Sequence, residues 1–355
     1  MSESSSTVCA VNEGGSAEIA RRHHTVPRFF LRGFADGERI TTVRLPGSRR
    51  FTQSVRHASV VTDFYSVEGH PDGEDVVEKA LGEIEGAAAE AIRQAASGSW
   101  PLGQEDRTWL GFYLAVQMVR TPIQRRTVEY LARQMRRMEI ALNGKPALRE
   151  ALESHTASKL TDVELNAVWK RATSPDGPPF PWAKAAHIEQ MFEDAISLLP
   201  YIVGRPWCLV TFDRRSLITS DSPVCLVRDP EAPSSMGVGF LNAKGITIAL
   251  TRKVALVMGD PEPFMDNNVP VQKIRSGACD SQQVGTTAIA RSLNEGTIRN
   301  STEWLFHHPD DATLIPERLP EPRDVAIRMS STGRTLDEEP PDWMEAVDAL
   351  GTTIR

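Results

Sequence analysis

Two stretches of the chain repeat apolar residues at the spacing of an α-helix, and this pattern constrains the fold more than any other feature. In residues 74–96, and again in residues 106–120, apolar side chains recur at steps of three and four. Such spacing places one apolar stripe along a helix, and the stripe must be buried against a second layer of structure. Pro122 predicts the start of a new or kinked helix that runs to about residue 142, because a proline interrupts the helical hydrogen bonds. Weaker helical patterns follow at residues 162–171 and 182–199.

The pattern changes from helical to β after Trp207. Short runs of β-branched or apolar residues, separated by turn residues, are typical of strands, and they cover residues 207–212, 216–219, 224–227, 246–250 and 254–258. Elsewhere, strands are predicted at residues 40–45, 60–67 and 304–306, and helices at residues 27–31 and 281–300. This order favours an α+β fold in which a helical layer packs on a mostly antiparallel sheet.

Composition divides the chain into three parts. Residues 1–20 are rich in Ser, Gly and Glu, and they predict a disordered N-terminal tail. Residues 21–307 carry the strong periodic patterns and predict a single α+β domain. Residues 308–355 are acidic and rich in Pro, and they predict a C-terminal extension with a short helix at residues 342–350.

Charge is distributed unevenly along the chain. The whole sequence has a net charge of −7, yet residues 21–57 hold nine Arg against Asp36 and Glu38. That segment is therefore +7 and the remainder is −14. An acidic chain is not typical of a nucleic-acid coat or a membrane-surface protein. The basic segment nevertheless indicates a local site for an anion, a nucleic acid included, or a contact with the protein's own acidic helices.

Three further observations point to a cytoplasmic protein that has no membrane partner. No run reaches the roughly 18 apolar residues that a membrane span needs. The first residues lack the basic-then-apolar order of a secretory signal. The cysteines are far apart and form no CxxC pair, which argues against a disulfide framework or a cysteine zinc site. They are Cys9, Cys208, Cys225 and Cys279.

His24 and Asp221 are candidates for general-base or metal-ligand chemistry. His24 precedes a proline-initiated helix, where an imidazole could bind a metal ion or take up a proton. Its alternative is a hydrogen bond to a backbone carbonyl. Asp221 falls between two predicted strands, in a loop of the kind that often carries functional carboxylates. Its alternative is a turn that Asp and Ser side chains stabilise.

Glu85, Arg120 and Asn294 are candidates because each is a polar residue at an apolar part of a predicted helix. Glu78 and Glu85 border the apolar stripe of residues 74–96, so each needs a polar partner unless it lies on a solvated flank. Arg120 continues the apolar face of its helix and could clamp a carboxylate or phosphate, or form a structural salt bridge with Glu85. Asn294 would cap a helix break, face solvent or turn into a pocket.

One string resembles a motif of a known family. Residues 24–34, HTVPRFFLRGF, are similar to the opening motif of the bacterial domain-of-unknown-function family 4238. DFY at 63–65, QMVRTP at 117–122, SDSP at 220–223 and SLN at 292–294 follow in the order of that family. The resemblance covers about residues 21–307 and implies a single domain over that span. It also selects His24, Glu85, Arg120, Asp221 and Asn294 as a set, and it implies no reaction.

A hydrolase of an anionic, phosphodiester-type substrate, similar to a nuclease, is the leading hypothesis for this set. If the five residues converge, His24, Glu85 and Asp221 would hold one divalent metal ion or share acid/base work on water. Arg120 would stabilise developing negative charge, and Asn294 would orient the substrate. No GxSxG, phosphate-loop or dinucleotide motif occurs, so the sequence favours none of those chemistries.

Two alternatives stay open at this point. The chain could be a non-catalytic module that binds a nucleotide or another acidic ligand through Arg120 and the N-terminal arginines. It could also be an interaction or regulatory protein, in which the same five residues form a buried polar network. The oligomeric state cannot be inferred from the sequence.

Overall fold

The computed structural model describes residues 22–325, except residues 68, 157, 175–176, 178–182 and 234–235. The disordered tail predicted for residues 1–20 and the helix predicted at residues 342–350 lie outside this part of the chain. The helices are α1 (Arg28–Arg32), α2 (Val76–Ala96), α3 (Gln104–Val119), α4 (Pro122–Thr156), α5 (Asp162–Thr173), α6 (Lys184–Val203), α7 (Glu262–Asp266), α8 (Val271–Arg275) and α9 (Thr287–Asn300). The strands are β1 (Arg22–His24), β2 (Arg39–Arg44), β3 (Arg49–Ser54), β4 (Val60–Thr62), β5 (Trp207–Thr211), β6 (Thr219–Ser220), β7 (Cys225–Val227), β8 (Gly245–Thr251), β9 (Val254–Met258), β10 (Ser281–Val284) and β11 (Trp304–His307).

The described strands form three sheets. One sheet has the order β10-β5-β9-β8-β7, a second has the order β3-β2-β11-β6, and β1 pairs with β4. The β10–β5 pair is parallel, whereas the other described pairs are antiparallel. The predicted α+β class with a mostly antiparallel sheet is therefore confirmed.

The helical layer buries the stripe that its sequence predicts. The stripe of α2 lies in the main core, with Val77, Leu81, Ile84, Ala88 and Ala91 all buried. Helix α3 packs against both α2 and α6, so it forms the centre of this layer. The same apolar core continues into strands β5, β8 and β9, and it joins the helices to the five-stranded sheet.

Helix α4 extends further than its sequence pattern predicts. It begins at Pro122 as expected, but a second helical part follows the non-helical Gly144 (φ 77°, ψ 173°) and reaches Thr156. A positive φ is readily adopted by glycine, which explains why the helix changes direction at this residue. In the described part of the chain, no helix is both long enough and apolar enough to cross a membrane.

The helix predicted over residues 281–300 is wrong in its first part. Residues 281–284 form β10, which pairs with β5 in the register Ser281↔Cys208. Helix α9 begins only after Thr286, whose hydroxyl accepts a hydrogen bond from the Ile289 amide at 3.2 Å. A Thr N-cap of this kind marks a helix start, and it explains the later boundary.

Residues 308–325, the first part of the predicted extension, contact the domain. Ile315 is buried in a small apolar cluster with Val43 and Leu305 of the four-stranded sheet. The Arg323 guanidinium donates to the carbonyls of residues 299–301, at the end of α9. A cation placed at these last carbonyls satisfies them and complements the helix dipole.

We expect Gly285→Ala to destabilise the fold. A Cβ at Gly285 would come within 2.1 Å of the buried Phe212 ring, and such overpacking costs about 1–3 kcal/mol. Gly296→Ala is the matched control, because a Cβ there meets nothing within 4 Å and alanine stabilises a helix interior by roughly 0.5–1 kcal/mol. Urea unfolding midpoints should move in opposite directions for the two variants. A shift in the same direction would contradict the packing at Gly285.

Candidate functional site

Arg120 follows α3 and is 1% exposed. Its Nη1 donates to Glu85 Oε1 at 2.8 Å, and its Nε donates to the Thr25 carbonyl at 3.1 Å. Gln117, one helical turn earlier, donates from Nε2 to the same carbonyl at 3.0 Å. The alternative predicted for Arg120, a salt bridge with Glu85, is therefore confirmed. Two motifs that are distant in sequence, HTVP and QMVRTP, meet at one carbonyl oxygen.

Tyr65 joins the DFY motif to the same cluster. Its hydroxyl donates to the Arg120 carbonyl at 3.3 Å, and its amide donates to His23 Nδ1 at 2.9 Å. Burial raises the pKa of Tyr65, so the phenol stays protonated. Burial and the charge of Glu85 also raise the pKa of Glu78, which lies on the same helix as Glu85. The cluster is a buried polar network around one guanidinium.

His24 lies at the end of β1, beside the basic segment. Burial and the charge of Arg28 lower the pKa of His24 to about 4, so the ring is neutral near pH 7. Hydrogen bonding to the backbone at Val55 and Arg56 opposes this shift and raises the pKa. Within the described residues, His24 Nε2 is buried and has no hydrogen-bond partner.

Asp221 follows β6 and holds it against the start of β11. Its carboxylate accepts hydrogen bonds from the Thr302 amide (2.9 Å) and hydroxyl (2.6 Å) and from the amides of Glu303 (2.7 Å) and Trp304 (3.1 Å). Burial raises the pKa of Asp221, and these hydrogen bonds oppose the rise. With four donors around it, the carboxylate already has a structural role.

Asn294 connects α9 to the segment that leads into β6. Its Oδ1 accepts from the Ile218 amide and its Nδ2 donates to the Ser216 carbonyl, each at 3.0 Å. Both ends of the amide are therefore engaged with the backbone of a neighbouring segment, and the side chain is buried. The sequence predicts that Asn294 caps a helix break, faces solvent or turns into a pocket. The observed bridge between two segments is a different role.

Among the five predicted site residues, the structure brings Glu85 and Arg120 into direct contact. His24, Asp221 and Asn294 each bond to other parts of the chain. Across residues 22–325, with the gaps given above, no group of three His, Cys, Asp or Glu side chains could hold a metal ion. The described residues therefore do not assemble the metal site predicted from His24, Glu85 and Asp221.

A cleft of about 410 Å³ lies between the four-stranded sheet and the start of α4. Phe51 and Trp304 contribute to its sheet side, and Phe64, Arg125 and Arg126 contribute to the other. Sequence reasoning missed these residues. Strand β3 has no clear apolar alternation in its sequence RRFTQS, so its position follows from pairing with β2.

The sheet face that carries Phe51 and Trp304 also carries two arginines, which lie beside the cleft and do not line it. Arg44 lies opposite both Arg49 and Trp304 in the strand register, so the three side chains share one face. The Arg44 guanidinium lies 5.5 Å from the Trp304 ring centre, and that of Arg49 lies 4.7 Å from the Phe51 ring centre. The Phe51 and Trp304 rings meet edge to face at 6.5 Å.

The helical side of the cleft presents a guanidinium that forms no ion pair with the described residues. Arg125 stacks over the Phe64 ring at 4.8 Å, and its Nη1 donates to the Phe64 carbonyl at 3.3 Å. Arg125 forms no ion pair within the described chain. Burial lowers its pKa, and the charge of Glu129, one turn further along α4, opposes this shift. The two carboxylates of the cleft are engaged elsewhere, since Asp221 has four donors and Glu303 lies 2.9 Å from Arg44.

A second cavity of about 500 Å³ lies on the other side of Thr302. Apolar side chains such as Leu226 and Phe240 contribute to it, together with Gln117 and Asn300. Its one arginine, Arg323, is occupied with the carbonyls at the end of α9. This cavity therefore lacks the available guanidinium that the cleft at Arg125 presents.

A comparison with family models matches residues 22–311 to one described as "Protein of unknown function (DUF4238)". The chain belongs to this family. A search of curated proteins and a search of solved structures found no match. The description of the DUF4238 family states no activity, so a function for this member must be argued from the geometry above.

We expect Glu85→Met to destabilise this DUF4238 protein strongly. The variant leaves the fully buried Arg120 charge without its carboxylate, and breaking a buried pair in this way costs about 3–5 kcal/mol. Glu90→Met is the matched control, because Glu90 lies on the same helix in an exposed pair with Arg93 and should change stability by less than about 0.5 kcal/mol. Unfolding free energies from urea titrations give both values.

The double variant Glu85→Met/Arg120→Met completes this test. When both residues are replaced, no unpaired charge is left in the core. The double variant should therefore lose less free energy of unfolding than the sum of the losses in the two single variants. Additive losses would show that the two side chains are not coupled.

The lowered pKa of His24 predicts that the protein loses stability in acid. The folded pKa of about 4 lies below the ordinary value of 6.5, so the unfolded chain binds the proton more tightly. The contribution of His24 is therefore complete above about pH 6.5 and is lost as the pH falls towards about 4. His24→Gln should flatten the dependence of the urea midpoint on pH in this window. An unaltered slope in His24→Gln would contradict the shifted pKa.

Proposed function

We propose that this DUF4238 protein is a non-catalytic module that binds an anionic ligand with a planar ring, for which a nucleotide is the representative. The site is the cleft between the four-stranded sheet and α4. The observation that carries the proposal is Arg125, a half-buried guanidinium on the cleft wall that forms no ion pair among the described residues and has only the more distant charge of Glu129 near it.

The charge of Arg125 favours an anion in the cleft. A cation that is partly removed from water loses solvation, and it regains that energy when an anion binds beside it. A guanidinium can donate two parallel hydrogen bonds to a phosphate or carboxylate, which gives direction as well as affinity. Phe64 supports the Arg125 guanidinium from below, so its orientation is partly set before a ligand arrives.

The aromatic side of the cleft favours a planar group on the ligand. Phe51 and Trp304 lie on the sheet side of the same cleft, and stacking of a base on an aromatic ring is worth about 1–3 kcal/mol. The cavity volume of about 410 Å³ is typical of sites for small ligands. Charge on one side and aromatic surface on the other match the two halves of a nucleotide.

The hydrolase hypothesis stays a separate prediction. It would need catalytic groups to act on the bound anion, and the five residues first considered for that role are distributed over the fold. Product analysis of a bound dinucleotide in the presence of Mg²⁺ tests it directly. Cleavage that depends on His24 or Asp221 would support a hydrolase in place of a binding module.

We expect Arg125→Met/Arg126→Met to weaken nucleotide binding at least about tenfold, because each lost charge-assisted hydrogen bond is worth about 1.5–3 kcal/mol. Methionine keeps the contact of residue 125 with Phe64. Calorimetric titration with a panel of ribonucleoside mono-, di- and triphosphates measures the change. Arg136→Met, on the exposed face of the same helix, is the control and should bind as the unmodified chain does.

Two outcomes would contradict the proposal. The first is that no member of the panel binds to the unmodified chain. The second is that Arg136→Met weakens binding as much as the cleft variant does, which would indicate general attraction of anions to a basic helix. Trp304→Leu separates the two halves of the site, since it should weaken binding of nucleotides more than binding of inorganic diphosphate.

A further inference from the structure

Besides Arg125, helix α4 carries three arginines that have no ion-pair partner within the described chain. They are Arg126, Arg133 and Arg137, which we call the arginine face of α4. Of the two carboxylates on the same stretch, Glu129 pairs with His187 at 3.0 Å and Glu139 pairs with Arg136 at 2.8 Å. These two carboxylates are thus engaged, and the charge of the arginine face is not neutralised by its own stretch of helix.

The three arginines share one side of the helix. Their spacing of seven and then four residues returns to nearly the same direction, since a helix has 3.6 residues per turn. Arg133 and Arg137 are half-buried, and the Nε atom of each is buried and makes no hydrogen bond within the described chain. A buried guanidinium nitrogen that has no hydrogen-bond acceptor costs free energy of folding. An acidic segment that docks on this face would supply acceptors to these nitrogens.

The C-terminal part of the chain starts next to this face. The carbonyl oxygen of Asp324 accepts a hydrogen bond from Arg126 Nε at 2.7 Å, and the described structure ends at residue 325. The chain therefore leaves the described structure beside the first residue of the arginine face.

The chain that follows has the charge that the arginine face lacks. Residues 337–350, DEEPPDWMEAVDAL, contain six carboxylates and no Lys, Arg or His. Trp343, Val347 and Leu350 stand at the spacing i, i+4 and i+7, so in a helix these apolar side chains would share one face. Ile140 lies on the same side of α4 as the three arginines, and it offers an apolar contact to such a face.

We propose that residues 337–350 dock on the arginine face of α4 in the same chain. The arginine face shares Arg126 with the cleft, but Arg133 and Arg137 do not line the cleft, and the test below changes only these two arginines. The 12 residues from 325 to 337 span at most about 40 Å, and the arginine face from Arg126 to Arg137 is about 17 Å long. The connection is thus long enough to place the acidic segment along the whole face.

Covalent connection favours this segment over a foreign acidic protein. A segment tethered by a short linker is present at an effective concentration in the millimolar range, so it occupies the face before a dilute partner does. Because opposite charges account for much of the attraction, docking should weaken as salt is added.

Amide hydrogen exchange of the full chain tests the docking. In the unmodified protein at low salt, peptides that cover residues 337–350 should exchange at least about tenfold more slowly than in Arg133→Gln/Arg137→Gln, in which the docked segment opens more readily. Arg136→Gln is the control, because Arg136 lies off the arginine face and pairs with Glu139; it should retain the protection.

Variants of the segment itself keep the test independent of helix stability. Asp342→Asn/Glu345→Gln/Asp348→Asn leaves α4 intact and should lose the protection in the same way. The proposal is overturned if residues 337–350 exchange at the rate of an unstructured peptide in the unmodified chain, or if the variants on both surfaces keep full protection. Protection that increases with protein concentration would also overturn it, since the segment would then occupy a second copy.

Discussion

The buried guanidinium of Arg120 is the interaction on which the arrangement of the helical layer depends. It lies in the core with almost no exposure, so its charge must be balanced from within the protein. Glu85 of α2 supplies the negative charge, and the Thr25 carbonyl accepts a further hydrogen bond. Because these groups come from three elements, α2, α3 and the start of the domain have one relative position that satisfies the guanidinium.

The other motif residues hold elements together by the same principle. Asp221 accepts four hydrogen bonds at the start of β11, and Asn294 bridges α9 to the segment before β6. Each is a buried polar side chain that satisfies backbone groups of a neighbouring segment, and such networks specify one arrangement of a core. They position the sheet and α4 on either side of the cleft that Arg125 and the aromatic rings line.

Much of the helical layer could be predicted from sequence, because its signal is local. The apolar stripe of α2 and the helix start at Pro122 follow from spacing and from the chemistry of proline. Strand β10 could not be predicted in this way, because its residues are polar and exposed and it is held by parallel pairing with β5. For the site, the sequence leaves two alternatives for Arg120, and pairing with Glu85 is one of them. Whether the five candidate residues lie close together depends on contacts between distant parts of the chain, which the sequence does not show.

The sequence by itself determined the fold class, the helical stripes and which polar residues had to find partners in the core. These properties depend on periodicity and on the cost of burying a polar group, and both can be read along the chain. Only the tertiary structure decided which partner each residue has. Arg120 forms an ion pair with a carboxylate from α2, whereas Arg125, five residues later, stacks on the Phe64 ring and forms no ion pair within the described chain. Whether a charge is neutralised depends on groups that are close in space and distant in sequence, so only the packed fold distinguishes a structural arginine from one available to a ligand.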